Sequence, residues 1–449
     1  MSRKICLAML LLLLAGIAFA EDWITIYNDD LSLVRSNFEL QLKKGRQEIN
    51  FDDITSRIQP VSVIVSALGG GIRVAEQNYE YDLAGKWQIM AKYLDKEVTL
   101  ITKDNSRLTG ILKFFDGSSL GLIENSTNRM LVISDAETQI IQLASLPDNF
   151  YTKPTLRWGL IAEKEGKFPV QLTYLSGGFS WDVTYNCVWD EKLLATNSWV
   201  TINNRSGRAF TDVNLKLIAG DINRVFDEIG YGGGMGRMKM ESSDTMMAAV
   251  APEFEAKAFH DFHMYTLDQK VSFANNQTKQ IALYPTQNVK AKAVYEYQLW
   301  SDGVKSIIRF KNTEENGIGK ALPKGTIKVY KQDSDGNLEF IGEDRINHTS
   351  KNEEVTITTG KAFDLVASTM VKDQQTIGRN VSERTIQVTL RNNSKDVKTI
   401  DVIHYLGSNA KIVSHDIKPE IDTNNKATFK VEIRPDTQVI FNFKERTEY

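Results

Sequence analysis

The segment YLSGGFSWDVTYNCVWD (174–190) places Ser180, Asp182, Asp190 and Cys187 within a few positions of Gly177-Gly178. A serine or cysteine close to acids is raw material for nucleophilic catalysis. A nucleophile elbow, however, needs G-x-S-x-G followed by a helix, because both glycines permit the strained strand-to-helix turn. Here Gly178-Phe179-Ser180-Trp181-Asp182 lacks the second glycine. Trp181, Val183, Tyr185, Cys187 and Trp189 then alternate, which describes a strand with one apolar face. Cys187 reads as a small core residue. A nucleophilic thiol also needs a cation or histidine beside it, and all five histidines lie more than 70 positions away. The segment is expected to form a packed hairpin that turns at Gly177-Gly178, and no catalytic residue is assigned.

A second group of residues suits a soft metal. Met235, Met238, Met240, Met246 and Met247 cluster in a Gly-rich stretch, and His260, His263 and Met264 follow. Thioethers and imidazoles are ligands for Cu(I). Against this, FHDFHMYTL (259–267) reads as one strand, in which positions i and i+3 point to opposite faces. A Met-rich loop can equally be an adaptable contact surface. Asp333-Ser334-Asp335-Gly336-Asn337 resembles a calcium loop, but its glycine falls fourth rather than sixth. The runs GGG (69–71) and GYGGGMG (230–236) lack the strand-then-helix context and Gly-Lys-Ser/Thr ending of a phosphate cradle. The acids are scattered, so no carboxylate pair stands out for acid–base work. No cofactor motif is found.

The elements that must position these residues are strands. Alternation recurs in TIQVTL (385–390) and FKVEI (429–433). Asp335-Gly336 joins two such runs as a short hairpin, with positive φ expected at both turn positions. Residues 86–95 are the best helix candidate. One plan repeats at 199–217, 307–331 and 387–405: an alternating strand, an Asn-rich turn and a second alternating strand. It suggests several β-sandwich units of related build, although Asn, Gly and Ser serve at any turn. Residues 92–146 hold about five short strands, bending through Gly110 and Gly121, and are similar to Sm-like or SH3-like barrels. Residues 227–257, rich in Gly, Met and Ser, lack strand alternation and read as a mobile loop.

The chain opens as a leader. Arg3 and Lys4 precede an apolar run at 5–17, and Ala18-Phe19-Ala20 is an A-x-A cleavage site. That run is shorter than a spanning helix requires, and no later stretch is long and apolar enough. Removing the leader takes away two cations and moves the net charge from −3 to about −5. A mild acidic balance argues against nucleic acid, which needs clustered Lys and Arg. The mature chain keeps Cys187 alone, so it has no internal disulfide. Localisation is expected to be periplasmic or extracellular.

Four stretches resemble an exported bacterial family around the mucoidy inhibitor A protein, whose C-terminal region is a conserved domain of unknown function. Residues 23–66 resemble its N-terminal β module. Residues 174–224 resemble its signature: a Gly-Gly-x-Ser-Trp hairpin at Gly177, Gly178 and Trp181, strands through Cys187 and Trp199, then Leu-x-Ala-Gly-Asp ending at Gly220 and Asp221. Residues 262–284 resemble a later strand pair, and 317–365 a C-terminal segment. Many relatives carry a long helical hairpin where this chain has the small barrel, so a partner bound through those helices does not transfer. The resemblance supplies no catalytic residues or cofactor; it implies an envelope-associated β protein.

The expected architecture is all-β, with tandem β-sandwich-like domains and an inserted small Sm/SH3-like barrel. The divisions are a leader (1–20), an N-terminal β module (21–85), the barrel (86–148), a central sandwich (149–300) with a mobile loop at 228–257, and a C-terminal sandwich (301–449). The expected function is a non-enzymatic periplasmic or envelope module that binds an envelope protein or a surface glycan. Alternatives are a hydrolase of envelope polysaccharide or peptidoglycan, and a periplasmic copper-binding protein using Met235, Met238, Met240, His260 and His263.

Overall fold

A computed structural model of the chain describes residues 21–28, 30–80, 86–145, 151, 153–220, 222–223, 254–259 and 262–449. Residues 1–20, expected as a leader, the Met-rich stretch through 253, His260 and Asp221 lie outside the described residues. Of the described residues, 66% are strand and 3% helix, an all-β, multi-sheet fold as expected.

Two large sheets face each other across the main core. The N-terminal sheet has the order Phe254–Phe259, Phe262–Leu267, Phe210–Ala219, Glu21–Ile26, Ser32–Leu42, Gly166–Ser176, Ile64–Ala67, and Val271–Phe273 also pairs with Phe210–Ala219. The central sheet runs Gln277–Lys290, Leu193–Asn204, Phe179–Trp189, Gly325–Gln332, Leu338–Ile346. A three-stranded sheet, Gly45–Phe51, Thr155–Ala162 and Ile72–Glu80, adds Trp158 and Leu160 to the same core. A six-stranded sheet begins with Glu354–Lys361 and Lys305–Lys311, which feed this core through Ile308, Phe310, Val355 and Ile357. Its remaining strands, Lys292–Gln298, Lys398–Tyr405, Lys426–Ile433 and Glu420–Ile421, face a four-stranded sheet (Leu365–Ile377, Val381–Asn392, Thr437–Glu448, Ala410–His415) around a second core.

These pairings revise the expected divisions. The N-terminal module has no core of its own: Glu21–Ile26 pairs in parallel with Phe210–Ala219, and Ile24 and Val34 pack in the cluster that holds Trp181 and Tyr185. The division at 300 also moves, because Ile327, Val329 and Val355 belong to the main core while Tyr297 and Leu299 belong to the second. The two edges of Glu21–Ile26 both need partners, and a parallel partner about 190 positions away satisfies one of them.

The insert keeps its own small core of Met90, Tyr93, Val98, Leu100, Leu112, Leu120 and Leu122. The helix forms at Lys86–Lys92, three residues shorter than expected. The five strands follow the order Thr138–Leu143, Glu97–Thr102, Arg107–Phe115, Ser119–Glu124, Met130–Ser134. The sheet is open and does not close as a barrel: the 3-10 turn Asp135–Glu137 carries the chain from one edge to the other, and the two edge strands do not pair. Gly110 and Gly121 instead allow close approach. A Cβ on Gly110 would lie 2.1 Å from the Ile123 carbonyl oxygen, and one on Gly121 2.2 Å from the Phe114 ring.

The three Asn-rich turns are not hairpins. In each, the flanking strands belong to different sheets, so the turn is an arch over the edge of a sandwich. Each arch holds one fully buried asparagine: Asn204, Asn312 and Asn392. Asn204 Nδ2 donates to the carbonyls of Arg208 (2.8 Å) and Ala274 (3.0 Å), and its Oδ1 accepts from Ser206 N and Oγ. Asn392 repeats this with Asp396, Ile433 and Ser394. Asn312 ties Lys320 and Ser350 in a longer arch. Buried peptide groups at a crossover lack ladder partners, and one amide side chain satisfies several of them. The Asp335-Gly336 hairpin forms, but Gly336 alone takes positive φ (87°).

Candidate functional site

The 174–190 segment is packed, but it is an arch rather than a hairpin. Gly166–Ser176 ends in the N-terminal sheet and Phe179–Trp189 begins in the central one. Gly177 N donates to the Arg57 carbonyl (3.0 Å), and Gly178 N donates to Asp30 Oδ1 (2.8 Å). Gly178 has φ 90°, and a Cβ there would sit 2.5 Å from Ser206 Cα, so the Gly-Gly arch and the Asn204 arch press against each other. Trp181, Val183, Tyr185, Cys187 and Trp189 are all buried as expected. Burial pushes the Cys187 thiol up to about 12 against a weaker opposing contact with Thr196 Oγ1 at 3.5 Å, which makes it a poor nucleophile. Trp199 lies on the other face of its strand and is 38% exposed. Gly220 has φ 139° and adjoins the Phe262 ring.

Sequence reasoning missed the polar cluster behind these arches. Arg208 reaches both Asp22 (2.8 Å) and Asp53 (2.6 Å), and its guanidinium lies 4.4 Å from the centre of the Phe210 ring. Thr55 Oγ1 and Ser176 Oγ are 2.7 Å apart, and the Tyr174 hydroxyl accepts from Thr55 N. The arginine and its acids are 186 and 155 positions apart, and no local signal marks the pairing. Asp22, Arg208, Thr55 and Ser176 are largely buried and Asp53 stands exposed at the rim, so the cluster serves as a clamp between the N-terminal strands and the central arch.

A cleft lies beneath the antiparallel strands Phe254–Phe259 and Phe262–Leu267. These two strands replace the single strand expected at 259–267, and 254–257, expected in the loop, is strand. The cleft has a volume of about 660 Å³, with Phe254, His263 and Tyr284 inside and Lys320, Lys351, Glu255 and Asp268 around it. Tyr265 and Tyr284 hydroxyls both donate to the Ala321 carbonyl, at 3.2 and 2.8 Å. Burial pushes both phenols far up, so they stay neutral donors. Lys320 lies 4.6 Å from the centre of the Tyr284 ring. Glu255 pairs with Lys257 at 3.1 Å and Lys351 with Glu314 at 2.6 Å. Glu255 stands opposite Thr266, and Asp268 follows two positions on, which brings two carboxylates to one end of the cleft. Both are exposed, whereas a carboxyl tuned as a general acid is buried.

Of the residues grouped for a soft metal, only His263 and Met264 are described; Met235, Met238, Met240, Met246, Met247 and His260 lie outside the described residues. His263 shares a strand face with Tyr265, and Met264 takes the opposite face. Among the described residues no three His, Cys, Asp or Glu side chains are placed to hold a metal ion. In the 333–337 turn, Asp333 Oδ1 accepts from the backbone N–H groups of Asp335 and Asn337, so it braces the hairpin. Among the described residues no helix is long and apolar enough to cross a membrane. No family model matches the chain, and no curated protein matches it.

Proposed function

We propose that the protein is a non-enzymatic binding module of the cell envelope that docks an envelope protein through its insert. The observation that carries this reading is the insert's surface. It has an independent core, yet Trp87, Leu94, Met130, Val132 and Ile140 stand exposed on it, Val132 at 65%. Met130 and Val132 lie on one edge strand and Ile140 on the other, so a partner docking at either edge would meet apolar side chains. The insert's open sheet adds two edges of unpaired backbone groups, which recruit further strands. The leader-like N-terminus and the resemblance to an exported family support placement in the envelope. The test is photo-crosslinking from positions 87, 132 and 140 in the producing cells, followed by mass spectrometry. One dominant envelope protein at these positions, absent from crosslinkers placed on the C-terminal sandwich, is the expected result. Uniform, weak crosslinks at all positions would overturn the reading.

The two carboxylates of the cleft favour a second reading, hydrolysis of an envelope polymer. It requires that Glu255→Gln and Asp268→Asn each abolish release of soluble sugar from cell-wall material.

A further inference from the structure

We infer that the outer face of the central sheet is a binding surface for a neutral polysaccharide chain. This goes beyond docking through the insert and stands on a different part of the molecule. Alternate side chains of the central strands turn away from the main core. On that outer face Trp199 is opposite Thr184, and Thr184 is beside Thr326. Two positions along, Asn197 is opposite Asn186, which is beside Lys328. Two further on, Val188 is beside Tyr330, and Tyr330 is opposite Phe340. The result is an aromatic residue at each end of a strip of amides and hydroxyls. Tyr330 lies four residues beyond Thr326 and two strands from Trp199, so the aromatic ends are about 16 Å apart between Cα atoms.

The chemistry of the strip selects its ligand. A pyranose ring has a C–H-rich face that packs on an aromatic ring, and a hydroxyl edge that both donates and accepts hydrogen bonds. Trp199 is 38% and Phe340 54% exposed, and the Tyr330 and Phe340 rings brace each other edge-on at 5.6 Å. Thr286 Oγ1 donates to Asn197 Oδ1, so Asn197 presents its amide nitrogen. The charges balance: Lys328 is opposite Glu343 on the edge strand, and Asp182 and Arg345 add one of each sign at the Trp199 end. A nucleic acid would need clustered cations, and an anionic polymer gains nothing here. A protein interface would have an apolar centre, whereas the centre of this strip is amide, hydroxyl and the oppositely charged Lys328 and Glu343.

The test is affinity electrophoresis of the mature chain through gels containing hydroxyethyl cellulose, glucomannan, laminarin or dextran, with alginate as the anionic control. At least one neutral polymer should retard the protein and alginate should not. Trp199→Ala should weaken that retardation about tenfold, the order of one lost aromatic stack. Tyr330→Ala with Phe340→Ala should weaken it similarly, and Trp199→Tyr should restore most of it. These side chains are outside the core, and unchanged far-ultraviolet circular dichroism confirms folding. Trp87→Ala and Val132→Ser on the insert should leave retardation unchanged, which separates this surface from insert docking. Retardation by none of the four polymers, or unchanged retardation in the Trp199→Ala variant, overturns the inference.

Discussion

The Asn204 and Asn392 arches are built alike and used differently. Both place a fully buried asparagine at the end of a strand, with a serine two residues later and a carbonyl four residues later as partners. What differs is the side chain at the fourth position. Arg208 is 10% exposed and binds Asp22 and Asp53, which locks the N-terminal strands onto the main sandwich. Asp396 is 77% exposed and pairs loosely with Lys398 at 3.4 Å. The backbone geometry of an arch is therefore a local, repeatable solution to crossing between sheets. The side chain it displays decides whether the arch is a clamp or a solvent-facing turn.

The strongest way to break this comparison is to exchange what the arches display. Arg208→Ala should cost about 3–5 kcal/mol, because it strands the buried Asp22 carboxylate. Cys187 reports the damage: its thiol should resist reagents in the native protein and label readily in this variant. Rapid labelling of the unsubstituted protein in native buffer would contradict the core assignment. Next in size, Asn204→Ala and Asn392→Ala should each cost about 3 kcal/mol, since several buried peptide groups lose a partner. Hydrogen exchange should show Asn204→Ala loosening the N-terminal and central strands together, and Asn392→Ala loosening the C-terminal sandwich alone. Equal loosening of both cores by either variant would mean that the arches are not independent.

A smaller effect belongs to the second core. Glu445, buried, meets Arg384 at 2.6 Å and His404 at 3.3 Å. Burial pushes its carboxyl up, but the hydrogen bonds and charges of His404 and Arg384 outweigh this and hold it below the ordinary 4.5. A depressed carboxyl contributes stability above its unfolded value, and that stability is lost as pH falls through the folded value. The C-terminal sandwich should thus weaken below about pH 4.5. Glu445→Gln should cost about 1–3 kcal/mol at neutral pH and flatten that acid dependence, read by urea denaturation between pH 3 and 7. Smallest of all, Asp396→Ala should change stability by less than about 0.5 kcal/mol, as expected of an exposed ion pair. A larger loss would make the third arch a clamp like the first.

Much of the fold was legible because strand faces follow a period of two. The buried row Trp181, Val183, Tyr185, Cys187 and Trp189 was plain from spacing alone, as was the helix that begins at Lys86. The Gly177-Gly178 turn misled for a geometric reason. With two residues in the turn, Ser176 and Phe179 point to the same side whether the flanking strands pair or separate into facing sheets. Alternation is identical in a hairpin and an arch. The insert misled similarly, since short strands and glycines are common to closed barrels and open sheets. At the candidate cleft, His263 was singled out for copper, but its neighbours there, Tyr284 and Lys320, come from segments that no spacing rule connects to it.

The sequence by itself determined the all-β class, the inward faces of the strands and the small-residue turns, because these depend on neighbours two to four positions apart. Only the tertiary structure decided which sheet each strand joined, that the first strand pairs with residues 214–217, and that Arg208 meets Asp22 and Asp53. It also decided which aromatics remain outside, Trp199 and Phe340 among them. Those outcomes depend on which of many compatible edges and faces bury the most apolar surface together, and that sum runs over the whole chain.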